Sequence, residues 1–205
     1  TLTLENNLEI LLISGVKSKT GVMRGEEIQA IGLGKILEPY DDGVLILPGT
    51  HSKHVVYNQG RFTDFKTYMT GELFEIISRK SILAASIVKG DWDNVAKDAF
   101  IEGVKIGISD KFTERLFEIR ARDLFEIATK EENFYFLSGM LIGDELSYLA
   151  TNENHVFLAA DQQLLRLYQE AVNLITDKKK LVIVSSKDLE NALLAGQQKI
   201  LKLHV

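Results

Sequence analysis

The 205 residues contain no cysteine. Disulfides, thiolate nucleophiles and cysteine-based zinc sites are therefore excluded from this stretch of chain, a composition compatible with the cytoplasm. Prolines number two, and no proline-rich linker, low-complexity tract or internal repeat interrupts the chain. No apolar run approaches the ~20 residues that a membrane-spanning helix needs. The first residues lack the basic segment, apolar core and small-residue cleavage site of a secretory leader. The chain opens on Thr1 rather than Met, as a processed or truncated chain would. Basic charge is also scarce: 24 Lys and Arg stand against 29 Asp and Glu, for a net charge of −5. The one basic run, Lys178 to Lys180, simply precedes an apolar segment, so no stripe for nucleic acid is expected. The histidines His51, His54, His155 and His204 are not spaced as zinc ligands. What remains is 45% hydrophobic and 26% charged, enough for a sizeable core without metal or disulfide support.

The pattern of apolar residues predicts an α/β protein. Residues 8–14 read as a short buried strand, and 15–21 as a polar connection. Residues 22–38 read as a helix, weakened in its second half by Gly32 and Gly34. Three strands follow around Val44–Leu47, His54–Tyr57 and 61–69, broken at Pro48-Gly49 and Asn58-Gln59-Gly60, and they form a meander. A helix capped by Thr70 runs to Arg79. Residues 91–150 look helical almost throughout, with Asp91 as an N-cap and helical spacing of Leu116, Ile119, Leu124 and Ile127. Trp92, Phe112, Phe117, Phe125, Phe134 and Phe136 read as core. A strand at 155–159, a helix at 162–174, a strand at 181–185 and a helix from about 187 to 202, capped by Ser185 or Ser186, complete the chain. Such alternation implies a mixed sheet covered by helices.

Three polar clusters interrupt these elements. In Met23-Arg24-Gly25-Glu26-Glu27-Ile28-Gln29, either carboxylate can serve as a general base, and Arg24 can grip an anion through two N–H groups. The same glutamates also suit a helix N-terminus, whose dipole favours negative charge. In Leu47-Pro48-Gly49-Thr50-His51-Ser52-Lys53, a glycine-bearing turn brings backbone N–H groups, two hydroxyls and an ammonium together. That arrangement suits a phosphate but also an ordinary polar hairpin. The P-loop spacing is absent. In Thr67-Tyr68-Met69-Thr70-Gly71-Glu72-Leu73 a strand passes into a helix whose first N–H groups can bind an anion or simply be capped. The Ser138-Gly139 and Gly143-Asp144-Glu145 segments mark tight helix packing or the rim of a ligand pocket. Ala159-Ala160-Asp161 is a strand-to-helix turn of the kind that often faces a ligand.

Together these clusters carry a resemblance. VMRGEEIQAIG at 22–32, LPGTHSKHV at 47–55 and DFKTYMTGELF at 64–74, in this order, are similar to motifs of the 2-dehydro-3-deoxygalactonokinase family. Ser81-Ile82-Leu83, SGMLIGDEL at 138–146 and the late strand-helix units extend the match over nearly the whole chain. The family belongs to the superfamily of sugar kinases, hexokinase and actin. The resemblance therefore implies a ribonuclease H-like, actin/hexokinase-type ATPase lobe. Residues 1–21 would end an N-terminal lobe and connect it to a C-terminal lobe at 22–205, with a helical insertion at about 91–150.

The implied reaction is ATP- and Mg²⁺-dependent phosphorylation of the 6-hydroxyl of 2-dehydro-3-deoxy-D-galactonate, in galactonate breakdown in the cytoplasm. By comparison with the Gly-Asp-Gln element of related sugar kinases, the Gly-Glu-Glu-x-Gln pattern makes Glu26 the base, with Glu27 as the alternative. Arg24 and Gln29 would then contact the sugar acid. Gly49, Thr50, His51, Ser52, Lys53, Thr70, Gly71 and Glu72 would face ATP and its phosphates. Two departures stand out. The Asp- and Gly-rich phosphate loop of the family's N-terminal lobe is absent, so the chain alone is expected to be inactive. The turn at Ala159-Ala160 also lacks the glycine expected where adenosine packs. A non-catalytic regulatory protein on the same lobe, a kinase for another sugar acid, and an oligomer all remain open on these residues.

Overall fold

The computed structural model of the chain describes residues 2–3, 9–109 and 112–203. Thr1, Leu8 (the first residue of the expected strand at 8–14) and His204 lie outside them. The chain begins with two short antiparallel ribbons, β1 (Leu2–Thr3) with β2 (Glu9–Ile10), and β3 (Val16–Lys17) with β4 (Val22–Met23). Helix α1 follows at Glu26–Leu37, then strands β5 (Asp42–Leu47), β6 (Ser52–Asn58) and β7 (Arg61–Tyr68), and helix α2 (Thr70–Lys80). The helical stretch contains α3 (Asn94–Ile108), α4 (Phe112–Arg115), α5 (Glu118–Leu124) and α6 (Lys130–Leu146). It leads to β8 (His155–Leu158), α7 (Gln162–Ile175), β9 (Leu181–Ile183) and α8 (Ser186–Lys202).

Five strands form one mixed sheet in the order β7-β6-β5-β8-β9. The meander pairs are antiparallel, whereas β5-β8 and β8-β9 are parallel. Strand β5 lies at the centre and is buried on both faces, which is why it reads as a continuous apolar run. Its period of two assigns Val44 and Ile46 to the core beneath α3, α6 and α7, and Leu45 and Leu47 to the core beneath α1 and α8. Strand β8 repeats the division, with Val156 and Leu158 on the first face and Phe157 on the second. A third core joins α2, α3, α5 and α6 around Phe136, Met140 and Ile119. The molecule is thus three layers deep, with helices on both faces of the sheet.

The glycines on α3 and α6 explain how that third layer packs. A Cβ on Gly103 would meet the Phe136 carbonyl oxygen at 2.2 Å, and one on Gly139 would meet the Phe100 carbonyl oxygen at 2.1 Å. The two backbones are therefore in direct contact, and Ser138-Gly139 marks tight helix packing.

Several sequence expectations need correction. In 9–14 only Glu9–Ile10 is extended, and both residues are exposed, because the strand is part of a two-residue ribbon outside the five-stranded sheet. Residues 15–21 are not a plain connection, since Val16–Lys17 pairs with Val22–Met23 across the expected lobe boundary. Asp93, not Asp91, caps α3, with its Oδ1 accepting the Ala96 N–H at 2.8 Å. Phe117 and Phe125 are 61% and 73% exposed rather than core, because α5 is a short element that buries only Ile119. Ser185 caps α8 as expected, accepting the Asp188 N–H at 3.1 Å. Gly139→Ala is predicted to destabilise the fold by about 2 kcal/mol through overpacking. In a thermal melt this should lower the midpoint by roughly 4–8 °C.

Candidate active site

The carboxyl ends of β5 and β8 lie at the same edge of the sheet because these strands are parallel. Crevices at that edge are where open α/β sheets bind ligands. The turn at 48–51 leaves β5 there, and Ala159-Ala160-Asp161 leaves β8. The turn tip packs on the start of α2: the Glu72 N–H donates to the Thr50 carbonyl at 3.1 Å. A Cβ on Gly71 would meet the Gly49 oxygen at 2.6 Å and the Thr50 Cα at 2.7 Å. His51 Nε2 lies 2.5 Å from Glu72 Oε2 in an exposed hydrogen bond. Two clusters separated in sequence are thus one structural unit, and only glycine fits at position 71.

The first cluster joins them through Lys53. Its side chain is 5% exposed, and Nζ lies 3.1 Å from Glu26 Oε1 and donates to the His51 carbonyl at 2.8 Å. The two adjacent glutamates therefore have different roles. Glu26 lines a cavity of about 720 Å³ between the β3-β4 ribbon and the hairpin, together with Arg24, His51 and Lys53. Glu27 is buried and turns back to accept the Gly25 N–H at 2.5 Å, leaving Oε1 without a partner. Gly25 has φ +113°, a conformation that L side chains rarely adopt, so glycine is required where the chain enters α1. Arg24 is exposed and makes no ion pair among the described residues. Gln29 is half-buried on α1 and does not line this cavity.

On the other side of the hairpin lies a largely apolar cavity of about 330 Å³. It is bounded by Gly49, by Thr70, Gly71 and Phe74 of the α2 region, by Ser138, Leu141 and Ile142 of α6, and by Asp161, Leu164 and Tyr168 at α7. Asp161 caps α7, its Oδ1 accepting the Leu164 N–H at 3.0 Å.

Behind this cavity is a polar group not anticipated from the sequence. Glu145, 1% exposed, accepts four hydrogen bonds. Its Oε1 accepts from Ser52 Oγ at 2.7 Å and His54 Nε2 at 2.7 Å; its Oε2 accepts from Tyr168 OH at 2.8 Å and from Thr70 Oγ1. His54 Nδ1 lies 2.7 Å from the Tyr148 hydroxyl, so a proton on Nε2 lets one ring serve both partners. Burial alone would raise the Glu145 pKa. The hydrogen bonds from His54, Thr70 and Ser52 and the attraction to His54 outweigh it, and hold the carboxyl below its ordinary value. Burial, reinforced by Glu145, pushes the Tyr168 hydroxyl well up, and it remains a donor.

This network changes the reading of two residues. Thr70 is the first residue of α2 rather than its cap, which is Met69, and its hydroxyl is committed to Glu145. Ser52 is fully buried, and its hydroxyl is likewise committed. Both leave only backbone groups for a phosphate. The signal for Glu145 was an acidic residue one helical turn after the apolar Leu141 and Ile142 on α6, with Ser52 and His54 at period two on β6.

The architecture is a mixed α/β fold with the Glu26–Lys53 pair beside the turn at 48–51. A model of the 2-keto-3-deoxy-galactonokinase family matches residues 2–199, and the chain belongs to that family. It is 35% identical over 154 residues to the 2-dehydro-3-deoxygalactonokinase of Escherichia coli (strain K12), covering 73% of this chain and 51% of that protein. It is 36% identical over 128 residues to a candidate 2-dehydro-3-deoxygalactonokinase of Rhizobium meliloti (strain 1021), covering 62% of this chain and 42% of that one. The crystal structure of a candidate 2-dehydro-3-deoxygalactonokinase from Sinorhizobium meliloti superposes with TM-score 0.75 at 31% identity, over 88% of this chain and 59% of that chain. The chain thus spans about half the length of the curated relatives it matches.

Because the Glu145 pKa is lowered on folding, its contribution to stability is present above its ordinary value of 4.5 and is lost as pH falls through the folded value. Glu145→Gln places an amide N–H group against a hydroxyl or ring donor. It should cost about 3 kcal/mol at pH 7, and the gap from wild type should narrow in acid. Denaturant titrations at pH 7 and pH 4 check this; a gap independent of pH would contradict the assignment.

Proposed function

We propose that the chain is the C-terminal lobe of a two-lobed kinase that transfers the γ-phosphoryl group of ATP to the 6-hydroxyl of 2-dehydro-3-deoxy-D-galactonate. In this reading residues 1–21 connect to the other lobe, 22–205 form the ribonuclease H-like, actin/hexokinase-type lobe, and about 91–150 are its helical insertion. The sheet order β7-β6-β5-β8-β9, antiparallel in the meander and parallel thereafter, supports that lobe type. The reaction would serve galactonate breakdown in the cytoplasm. Among the described residues, no helix is long and apolar enough to cross a membrane.

The observation that carries the reading is the Glu26–Lys53 pair, which fixes a carboxylate at the wall of a cavity beside the turn at 48–51. Glu26 takes the proton from the 6-hydroxyl as the new oxygen–phosphorus bond forms and the bond from the γ-phosphorus to the bridging oxygen breaks, releasing ADP. Arg24 is available for the substrate carboxylate. Gly49, Thr50 and His51 present the turn to the phosphates, and Gly71 and Glu72 hold that turn in place. The apolar cavity bounded by Phe74, Leu141 and Leu164 suits the nucleoside. Ala159 and Ala160 are both buried, so the missing glycine at that turn does not put a Cβ into open space at the cavity. Among the described residues no three potential metal ligands come together. Magnesium would accompany the ATP phosphates and offset their charge there.

In the full-length enzyme, Glu26→Gln should lower kcat by about 10²–10⁴-fold with the thermal midpoint near that of wild type. Glu27→Gln should act mainly on stability. A coupled ADP-release assay with the sugar acid reads both. Undiminished turnover in Glu26→Gln removes it from the base role. Nucleotide binding without turnover in the wild-type enzyme would favour a non-catalytic regulatory protein.

A further inference from the structure

Glu145 divides its two oxygens between the two ends of the proposed nucleotide site. Oε2 accepts from Thr70 and Tyr168, and both of these residues line the apolar cavity. Oε1 accepts from Ser52 and His54, which begin β6 just after the turn at 48–51. The carboxylate itself touches neither cavity, being buried behind them. Leu141 and Ile142, one turn earlier on the same helix, line the apolar cavity directly. One side chain thus ties the turn that would face phosphates to the helices that would face the nucleoside.

We propose that Glu145 is a positioning residue for nucleotide binding, setting the distance between the 48–51 turn and the α2–α7 wall. The inference rests on the nucleotide reading given above but not on the identity of the sugar acid. Its physical basis is that four elements, β6, α2, α6 and α7, contribute to one carboxylate. An ionised group that is 1% exposed cannot lose a donor without a shift of the element that supplied it. A shifted wall weakens binding of a ligand that must span both ends, because the preorganised fit is lost. A ligand held by the Arg24–Glu26 cavity touches none of these four donors and meets the hairpin only at His51 and Lys53, so its affinity depends on Glu145 much less than that of a ligand spanning both ends.

The test uses the full-length enzyme and two variants, Glu145→Gln and Tyr168→Phe. The second keeps the carboxylate, three of its donors and the aromatic ring, so it guards against a Glu145 variant that fails to fold. Titration calorimetry with ADP in the absence of sugar acid is expected to show the dissociation constant raised roughly tenfold in Glu145→Gln and about threefold in Tyr168→Phe. In steady-state assays KM for ATP should rise in parallel, while KM for the sugar acid stays within about twofold. A purely structural role would reduce the active fraction and lower apparent kcat without moving either constant, and that result overturns the proposal. If Glu145→Gln is insoluble, an unchanged ADP constant in Tyr168→Phe overturns it, and a selective rise supports it. A wild-type enzyme that binds ADP but does not phosphorylate this sugar acid would sink the substrate assignment and leave the calorimetric comparison to judge Glu145. A wild-type enzyme that binds no ADP would overturn both.

Discussion

A carboxylate buried behind the sheet edge must be satisfied from within the protein, and the rest of this site is arranged around that requirement. Ionised Glu145 can accept about four hydrogen bonds and receives them from Ser52, His54, Thr70 and Tyr168. Each donor sits on an element whose position also serves something else. Ser52 and His54 place the strand that follows the turn. Thr70 starts the helix on which the turn rests. Tyr168 lies on the helix that closes the apolar cavity. An isolated buried charge would cost several kcal/mol, so the four elements are held together by the cost of separating them.

The turn at 48–51 is consequently supported from three directions. The Glu72 N–H holds the Thr50 carbonyl, the missing Cβ of Gly71 lets the chains approach, and Lys53 holds the His51 carbonyl from below. A glycine-bearing turn is ordinarily mobile. Here it is held by the start of α2 on one side and by Lys53 on the other.

Much of this was legible in the sequence where one period governs one element. The apolar run of β5 and the alternating positions on β8 announce a sheet buried on both faces. The three motifs mark the residues that converge at its edge. What could not be read was commitment. Ser52 and Thr70 look like phosphate donors because hydroxyls beside glycine usually are, but the partner that claims them lies 93 and 75 residues away. Glu145 looks like one charge among several on a helix end, and only the fold reveals that its side faces four donors. The exposed Phe117 and Phe125 show the converse, since both lie at the two ends of α5 and only Ile119 of that helix is buried.

The adjacent glutamates show how one position in sequence separates two kinds of chemistry. Successive helical residues point about 100° apart, so Glu26 and Glu27 cannot face the same ligand. Glu27 satisfies the N–H of Gly25 and fixes the entry to α1. Glu26 is thereby left at the cavity wall, held by Lys53. The ammonium of Lys53 has three donors, of which the Glu26 carboxylate and the His51 carbonyl take two. In the proposed reaction, once Glu26 has accepted a proton, its attraction for that ammonium falls just as negative charge develops on the transferred group nearby. In that reaction the lysine that orients the base before transfer is then free to stabilise charge after it.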